Sequence, residues 1–387
     1  MKKNIRPILA IGTAIVLLSG LTAGCSSSDS DNSSAATAGA TAGATAGATA
    51  GATDAGTAAP TDAASESDMA AADYGSDGGY TYATDVPDHR LLVLDMCDIN
   101  TQLDRDSIDF DAISSIYREG GNAVKGDGSI RTIEGFTAAE GKNHNHDAYY
   151  GQIGAIDSFI SEALAGEGMT QGESDDVRAQ FVQKGIQNQA LTAYVNHELV
   201  SALGKGSNGD FEGAVHNWDE GWAFYHGVDG TCGPYGTGDK RAENYATLES
   251  DGKTATANAN ILAAMIDGRD ALLAENVEGA TEAAGEVIRN LAVIYSQAVI
   301  RYATKMTSDL AEGDTEAARV HQAEGLAFWR VIEPIVGDID KASTDAINEV
   351  FQLSNPPKSG TEGDVRKGLE PIWTSLDISA EEVGTLQ

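Results

Sequence analysis

Apolar side chains recur at three- and four-residue intervals along most of the chain beyond residue 106, and that period commits it to helices. Residues 106–119 place Ile108, Ala112, Ile113 and Ile116 on one face, and Gly120-Gly121 ends the run. Residues 147–165 carry Ile153, Ile156, Phe159, Ile160 and Leu164. Residues 175–203 carry Val177, Phe181, Ile186, Leu191, Val195, Leu199 and Leu203, with Gly204 as a stop. The same reasoning predicts helices over 255–275, 282–306, 315–332, 343–352 and 363–373. The one short apolar run with strand character is residues 91–96. The fold class expected is all-α, a multi-helix bundle of about eight to ten helices.

The helical part repeats itself weakly. Phe211 to Gly227 reads FEGAVHNWDEGWAFYHG and Glu316 to Pro334 reads EAARVHQAEGLAFWRVIEP. The shared core aligns Glu220-Gly221-Trp222-Ala223-Phe224-Tyr225 with Glu324-Gly325-Leu326-Ala327-Phe328-Trp329. His216 lies four before Glu220 and His321 three before Glu324, so the histidines do not superpose. A fainter echo, Ala139-Glu140-Gly141, precedes His144. Two matching helices this far apart predict a bundle of two weakly repeated halves, residues 85–250 and 251–387, about a pseudo-twofold axis.

The N-terminal part has a different character. Lys2, Lys3 and Arg6 precede an apolar stretch, residues 8–20, that is short for a membrane span. It runs into Leu21-Thr22-Ala23-Gly24-Cys25, which resembles a lipobox with Thr22 in the place usually held by leucine. The reading is a lipoprotein signal over 1–24 and a lipid on Cys25; the alternative is ordinary secretory cleavage near Ala23. Ser26 after the cysteine points to the outer membrane or cell surface. Residues 37–52 repeat Thr-Ala-Gly-Ala, and small and acidic residues surround them. Such a composition buries too little apolar surface to offset chain entropy, so residues 25–84 are expected to form a disordered stalk.

Charge narrows the partners. The chain has 59 acidic and 25 basic residues, a net charge of −34, and loss of Lys2, Lys3 and Arg6 with the leader makes it more negative still. That field repels nucleic acid and attracts cations. It also suits a saline habitat. Cys97 and Cys232 are the thiols left beyond Cys25, and in an oxidising compartment they are candidates for a disulfide.

The first repeat is richest in ligand types. On a helix His216 and Glu220 share a face, and Asp219 and His226 share another edge, with Tyr225 adding a phenol. Imidazole, carboxylate and phenolate together suit iron and similar transition metals. The alternative is an amphipathic helix that buries Trp218, Trp222 and Phe224 and solvates its polar side. Glu324 is the second-half counterpart of Glu220, and Tyr295 and Tyr302, seven apart, stack along one helix with Arg289 and Arg301. Arg301 is a candidate for holding an anion beside a metal, against the plainer reading of an ion pair. His144-Asn145-His146-Asp147 reads as a loop in which Asp147 caps the following helix, with metal binding as the alternative. No G-x-S-x-G, HExxH, phosphate-binding loop, dinucleotide fingerprint or CxxCH occurs, so no enzyme is expected.

HNWDEGWAFYHG, the EGLAFW copy, IYREGGN at 116–122 and AVIRYATKM at 298–306 together resemble the algal iron-assimilating periplasmic proteins. These include the phytotransferrins and the low-iron-inducible secreted proteins of green algae, and the likeness spans about residues 85–380. The resemblance implies a helical, internally repeated, extracytoplasmic protein that binds Fe(III) together with carbonate for iron acquisition. It carries over the DEGWAFY helix and the arginine–tyrosine helix but no full ligand set. The implied partners are a metal ion, a membrane through Cys25 and an iron transporter. Two other classes compete: a structural or adhesive helical lipoprotein without metal, and an imelysin-like metal-dependent peptidase relative.

Overall fold

A computed structural model describes residues 73–387; the expected leader, the lipid site Cys25 and the stalk up to residue 72 lie outside the described residues. A two-residue hairpin opens it, β1 (Ser76–Asp77) antiparallel to β2 (Tyr80–Thr81). The rest is helical: α1 (Pro87–Leu103), α2 (Phe110–Glu119), α3 (Ile133–Thr137), α4 (His144–Tyr150), α5 (Ala155–Ala165), α6 (Asp175–Lys184), a π-helical stretch (Gly185–Ala190), α7 (Leu191–Ser207) and α8 (Phe211–Tyr225). A 3₁₀ turn (Gly230–Cys232) leads to α9 (Pro234–Tyr245), α10 (Thr256–Leu273), α11 (Val277–Glu312), α12 (Thr315–Ile339), α13 (Lys341–Phe351), α14 (Glu362–Ser375) and α15 (Ala380–Val383). The all-α class read from periodicity is the class observed.

Residues 73–387 pack as one compact unit around one continuous apolar core. Its spine is α11, whose 36 residues span about 54 Å at the usual rise. Against it lie α7, α9, α10, α12, α14 and α15. Three helix pairs dominate the packing: α10 with α11, and the two repeat-bearing hairpins α7 with α8 and α11 with α12. The second helix of each hairpin carries one copy of the repeat, and each begins at an aspartate ten residues before the shared glutamate. Asp210 accepts from Gly213 N at 3.0 Å and Asp314 from Ala317 N at 2.9 Å. The repeat therefore extends upstream to a common N-cap.

Several expectations need correction. Residues 73–84 are folded and are not stalk: Tyr80 and Tyr82 are buried, and Asp219 holds the segment that follows β2. Residues 91–96 lie inside α1, where Leu92, Val93 and Met96 face the core at helical spacing. The helix expected over 147–165 is two helices, because Gly151 (φ 67°) and Gly154 (φ 69°) adopt the left-handed conformation that breaks it. Gly204 does not stop α7, which runs to Ser207. His144 to Asp147 is the first turn of α4 and not a loop, and Asp147 accepts from Ala155 N at 3.1 Å in place of capping. α9 carried too few apolar residues to register as periodic.

Pro334 sits inside α12 and has no N–H for the carbonyl four residues earlier. That carbonyl belongs to Arg330, and the Nε2 of His146 meets it at 3.1 Å. A buried histidine on α4 thus satisfies the acceptor that the proline leaves open.

Candidate functional site

The polar centre of the first repeat forms around Glu220, buried in the middle of α8. One oxygen, Oε1, accepts from two imidazoles: His89 Nε2 of α1 at 2.9 Å and His216 Nε2, one turn back on α8, at 3.0 Å. The other, Oε2, accepts from Asn217 Nδ2 at 2.9 Å. Asn217 Nδ2 also bonds Glu198 of α7. Glu198 is only 3% exposed, so two carboxyls share one desolvated space.

Two buried carboxylates this close do not both ionise. Burial, then the Glu220 charge, push the Glu198 carboxyl well above the usual carboxylate range. Burial opposes the charge of Glu220 too, but His89, His216 and Glu198 outweigh it and hold Glu220 well below that range. Of the pair, Glu198 therefore holds a proton more tightly than Glu220. Its hydrogen bond to Glu220 raises the His216 pKa against a smaller opposing effect of burial. Beyond His89, Asp88 receives Arg131 Nε at 2.8 Å, and Arg131 also donates to Tyr194 at 3.1 Å.

Asp219, next to Glu220 on the helix, serves a different purpose. Its oxygens accept from Tyr80 OH at 2.7 Å, Ala83 N at 2.9 Å, and both the backbone N and Oγ1 of Thr84 at 2.7 Å. Four donors occupy it, so it anchors the chain that leads into α1. His216 Nδ1 lies 3.3 Å from the same Thr84 hydroxyl, which ties the anchor to the Glu220 cluster.

The other sequence candidates lie elsewhere. Tyr225 donates to Asn258, and His226 Nδ1 meets Gly227 O at 2.7 Å while its ring stacks on Trp222. Tyr295 pairs with Thr192 at 2.7 Å and Asn188 at 3.2 Å. Tyr302 donates to Glu324, which also pairs with Lys184 at 3.3 Å, and Arg241 donates to Tyr302 at 3.2 Å. Glu324 and Glu220 share no partner, so the two repeats head separate networks. Arg301 acts electrostatically on Tyr245 of α9, and its Nε has no hydrogen-bond partner. Of the sequence candidates for metal, His216 meets Glu220 and Tyr302 meets Glu324, in two separate networks. His89 and Glu198 complete the Glu220 cluster, and no motif or spacing in the sequence marks either of them.

Cys97 of α1 and Cys232 of the 3₁₀ turn form a disulfide across 135 residues, with Cα atoms 5.3 Å apart. With Asp229 they are the one trio of acidic, thiol or imidazole groups among the described residues whose ligand atoms all lie within 4.8 Å of one another. Sulfurs bonded to each other are not thiolate ligands, so this trio is no metal site. The bridge instead fastens α1, the helix of His89, to the turn that follows α8.

The model of a family described as low iron-inducible periplasmic protein matches residues 33–355. The chain belongs to that family. It is the family that the EGWAFY and EGLAFW motifs resemble. No match is found among curated proteins or solved structures. The match includes α1, α7 and α8, and hence every member of the Glu220 cluster. Low iron-inducible periplasmic proteins are exported and iron-regulated by description, which supports an extracytoplasmic place for this chain and relates it to iron.

Proposed function

We propose that the protein captures ferric iron outside the cytoplasm and that the His89–Glu198–His216–Glu220 cluster is where it does so. The observation that carries this reading is Glu220 Oε1 accepting from two imidazoles beside the buried Glu198 carboxyl. Imidazoles and carboxyls are gathered there from three helices, and because no three of their ligand atoms lie within 4.8 Å of one another, an ion would have to draw them inward. A metal arriving at such a site displaces protons from Glu198 and the histidines. Carboxylate with imidazole suits iron among the transition metals. Carbonate remains part of the proposal, with Lys142, which bears on Glu198, and Arg131 as the nearby cations. Arg301 has no contact with this cluster and is not proposed for the anion here. We read the chain as a binding protein and not as an enzyme. Attachment through a lipid on Cys25, and delivery of iron to a transporter, belong to the same proposal.

Calorimetric titration with Fe(III), offered as a weak chelate with and without bicarbonate, tests it. Binding is expected to release protons, to weaken as pH falls from 7 to 5, and to drop by about tenfold or more in Glu220→Gln. Flat heats from folded protein under both conditions would exclude iron capture. Unchanged affinity in Glu220→Gln would exclude this site.

A further inference from the structure

A second site, unrelated to the Glu220 cluster, lies where α12 meets α4 and α13. A cavity of about 490 Å³ opens there, lined by Tyr149, Tyr150, Leu326, Arg330, Glu333 and Lys341 among others. Arg330 is its unusual member. The residue is 8% exposed, yet its side chain makes no hydrogen bond and no ion pair among the described residues, and its Nε is buried without a partner. Its guanidinium lies over two rings instead, 4.0 Å from the Tyr150 centroid and 4.4 Å from that of Phe159. Stacking fixes the plane and leaves the N–H edges unused. A buried cation with unfilled donors is costly, and proteins normally resolve that with an anion.

The neighbours do not supply one. Glu333, three residues on, is turned to other donors: Tyr149 at 3.1 Å, Asn348 Nδ2 at 2.7 Å and Tyr150. Lys341 is 81% exposed and paired with Asp345, so it adds no charge to the interior. His146 is neutral, because burial and then the Arg330 charge push its pKa down to about 4. The lining therefore offers one unpaired buried cation, one shielded carboxylate, the exposed Asp338 at its rim, and apolar surface from Leu326, Met169 and the tyrosine rings.

We infer that the cavity binds a small organic monocarboxylate. Its planar pair of oxygens would meet the free edge of the stacked guanidinium as a fork, and its apolar body would lie on Leu326 and Met169. Glu333 disfavours a dianion such as phosphate, which would meet its charge in the same confined space.

Propionate and benzoate are the probes, with inorganic phosphate as the contrasting anion, each titrated into the intact exported domain by calorimetry and thermal unfolding. Saturable heat and a raised Tm are expected with a monocarboxylate. Arg330→Met should abolish both without lowering the Tm of the ligand-free protein, since it removes an unpaired buried charge. Arg330→Lys keeps a cation without the fork and should weaken binding about tenfold or more. It serves as the second variant if the methionine form folds poorly. No saturable response from wild type, a response to phosphate alone, or a response that persists in both variants would each overturn the inference. Iron binding at Glu220 should be unaffected by either variant, so failure here leaves the proposed iron function standing.

Discussion

At the scale of the residue, Glu198 and Glu220 have identical side chains and opposite electrostatics. Glu198 has its pKa raised by burial and the Glu220 charge, so its stabilising effect is greatest when it is protonated. Above the unfolded carboxylate range, about pH 4.3, the unfolded chain gives up this proton and the folded chain keeps it, so rising pH favours unfolding. Glu198→Gln keeps a neutral side chain and removes that penalty. In metal-free protein the variant is expected to match wild type near pH 5 and to exceed its Tm by about 2 °C or more at pH 8. Glu220 has the opposite sign: its depressed pKa gives stability above the unfolded range that is lost on acidification. Glu220→Gln should therefore lose stability at pH 7 and converge on wild type in acid. Thermal melts across pH 4–8 for the three proteins check both signs, and parallel curves would refute the shared-proton description. His216 adds a smaller, third contribution: with its pKa raised, its pairing stabilises below about pH 6.5 and fades as pH rises through the folded value.

At the scale of the element, the helical hairpin explains both what the sequence made legible and what it hid. The periodicity of 175–203 and the EGxAF repeat were readable because amphipathic period and motif are local properties. Glu198 was hidden because its role depends on reflection across a turn. In the α7–α8 hairpin the turn centres on residue 209, and Glu198 and Glu220 lie equally far on either side. In the α11–α12 hairpin the same reflection brings Tyr302 near Glu324, as observed. His89 was hidden more deeply, since long-range contacts, the Asp219 anchor and the Cys97–Cys232 bridge among them, fix where α1 lies. The repeat's shared glycine shows that matching sequence does not mean matching surroundings. A Cβ on Gly221 would meet Leu199 and Met265 at 3.6 Å, ordinary contact, whereas on Gly325 it would stand 2.1 Å from the Phe351 ring. Gly221→Ala is expected to be neutral or to stabilise by up to about 1 kcal/mol through helix propensity. Gly325→Ala is expected to cost about 2 kcal/mol or more, because the Phe351 ring must move. Urea denaturation measures both, and equal losses would mean that the paired glycines share a role that packing does not explain.

At the scale of the whole molecule, the charge of −34 governs stability and encounter in different ways. Like charges on a compact body repel, and dissolved salt shortens their reach from about 30 Å at 0.01 M to about 8 Å at 0.15 M. The folded protein should therefore gain Tm as sodium chloride rises, in contrast to a protein held by surface ion pairs. The same field acts on whatever approaches. A cation is drawn in, so its association rate should fall as salt screens the attraction; an anion is repelled, so its rate should rise. Iron offers both cases, as the aquo Fe(II) cation and as ferric citrate, a polyanion. Stopped-flow association across the same salt range is expected to show opposite slopes for the two. If ferric citrate also slows with added salt, the entrance to the site is locally positive despite the net charge. Arg131 and the partly buried Lys142, both close to the Glu198–Glu220 pair, would then outweigh the far acidic surface at the point of entry. The slope for the anion thus separates a field set by the whole surface from one set by the cations beside the cluster.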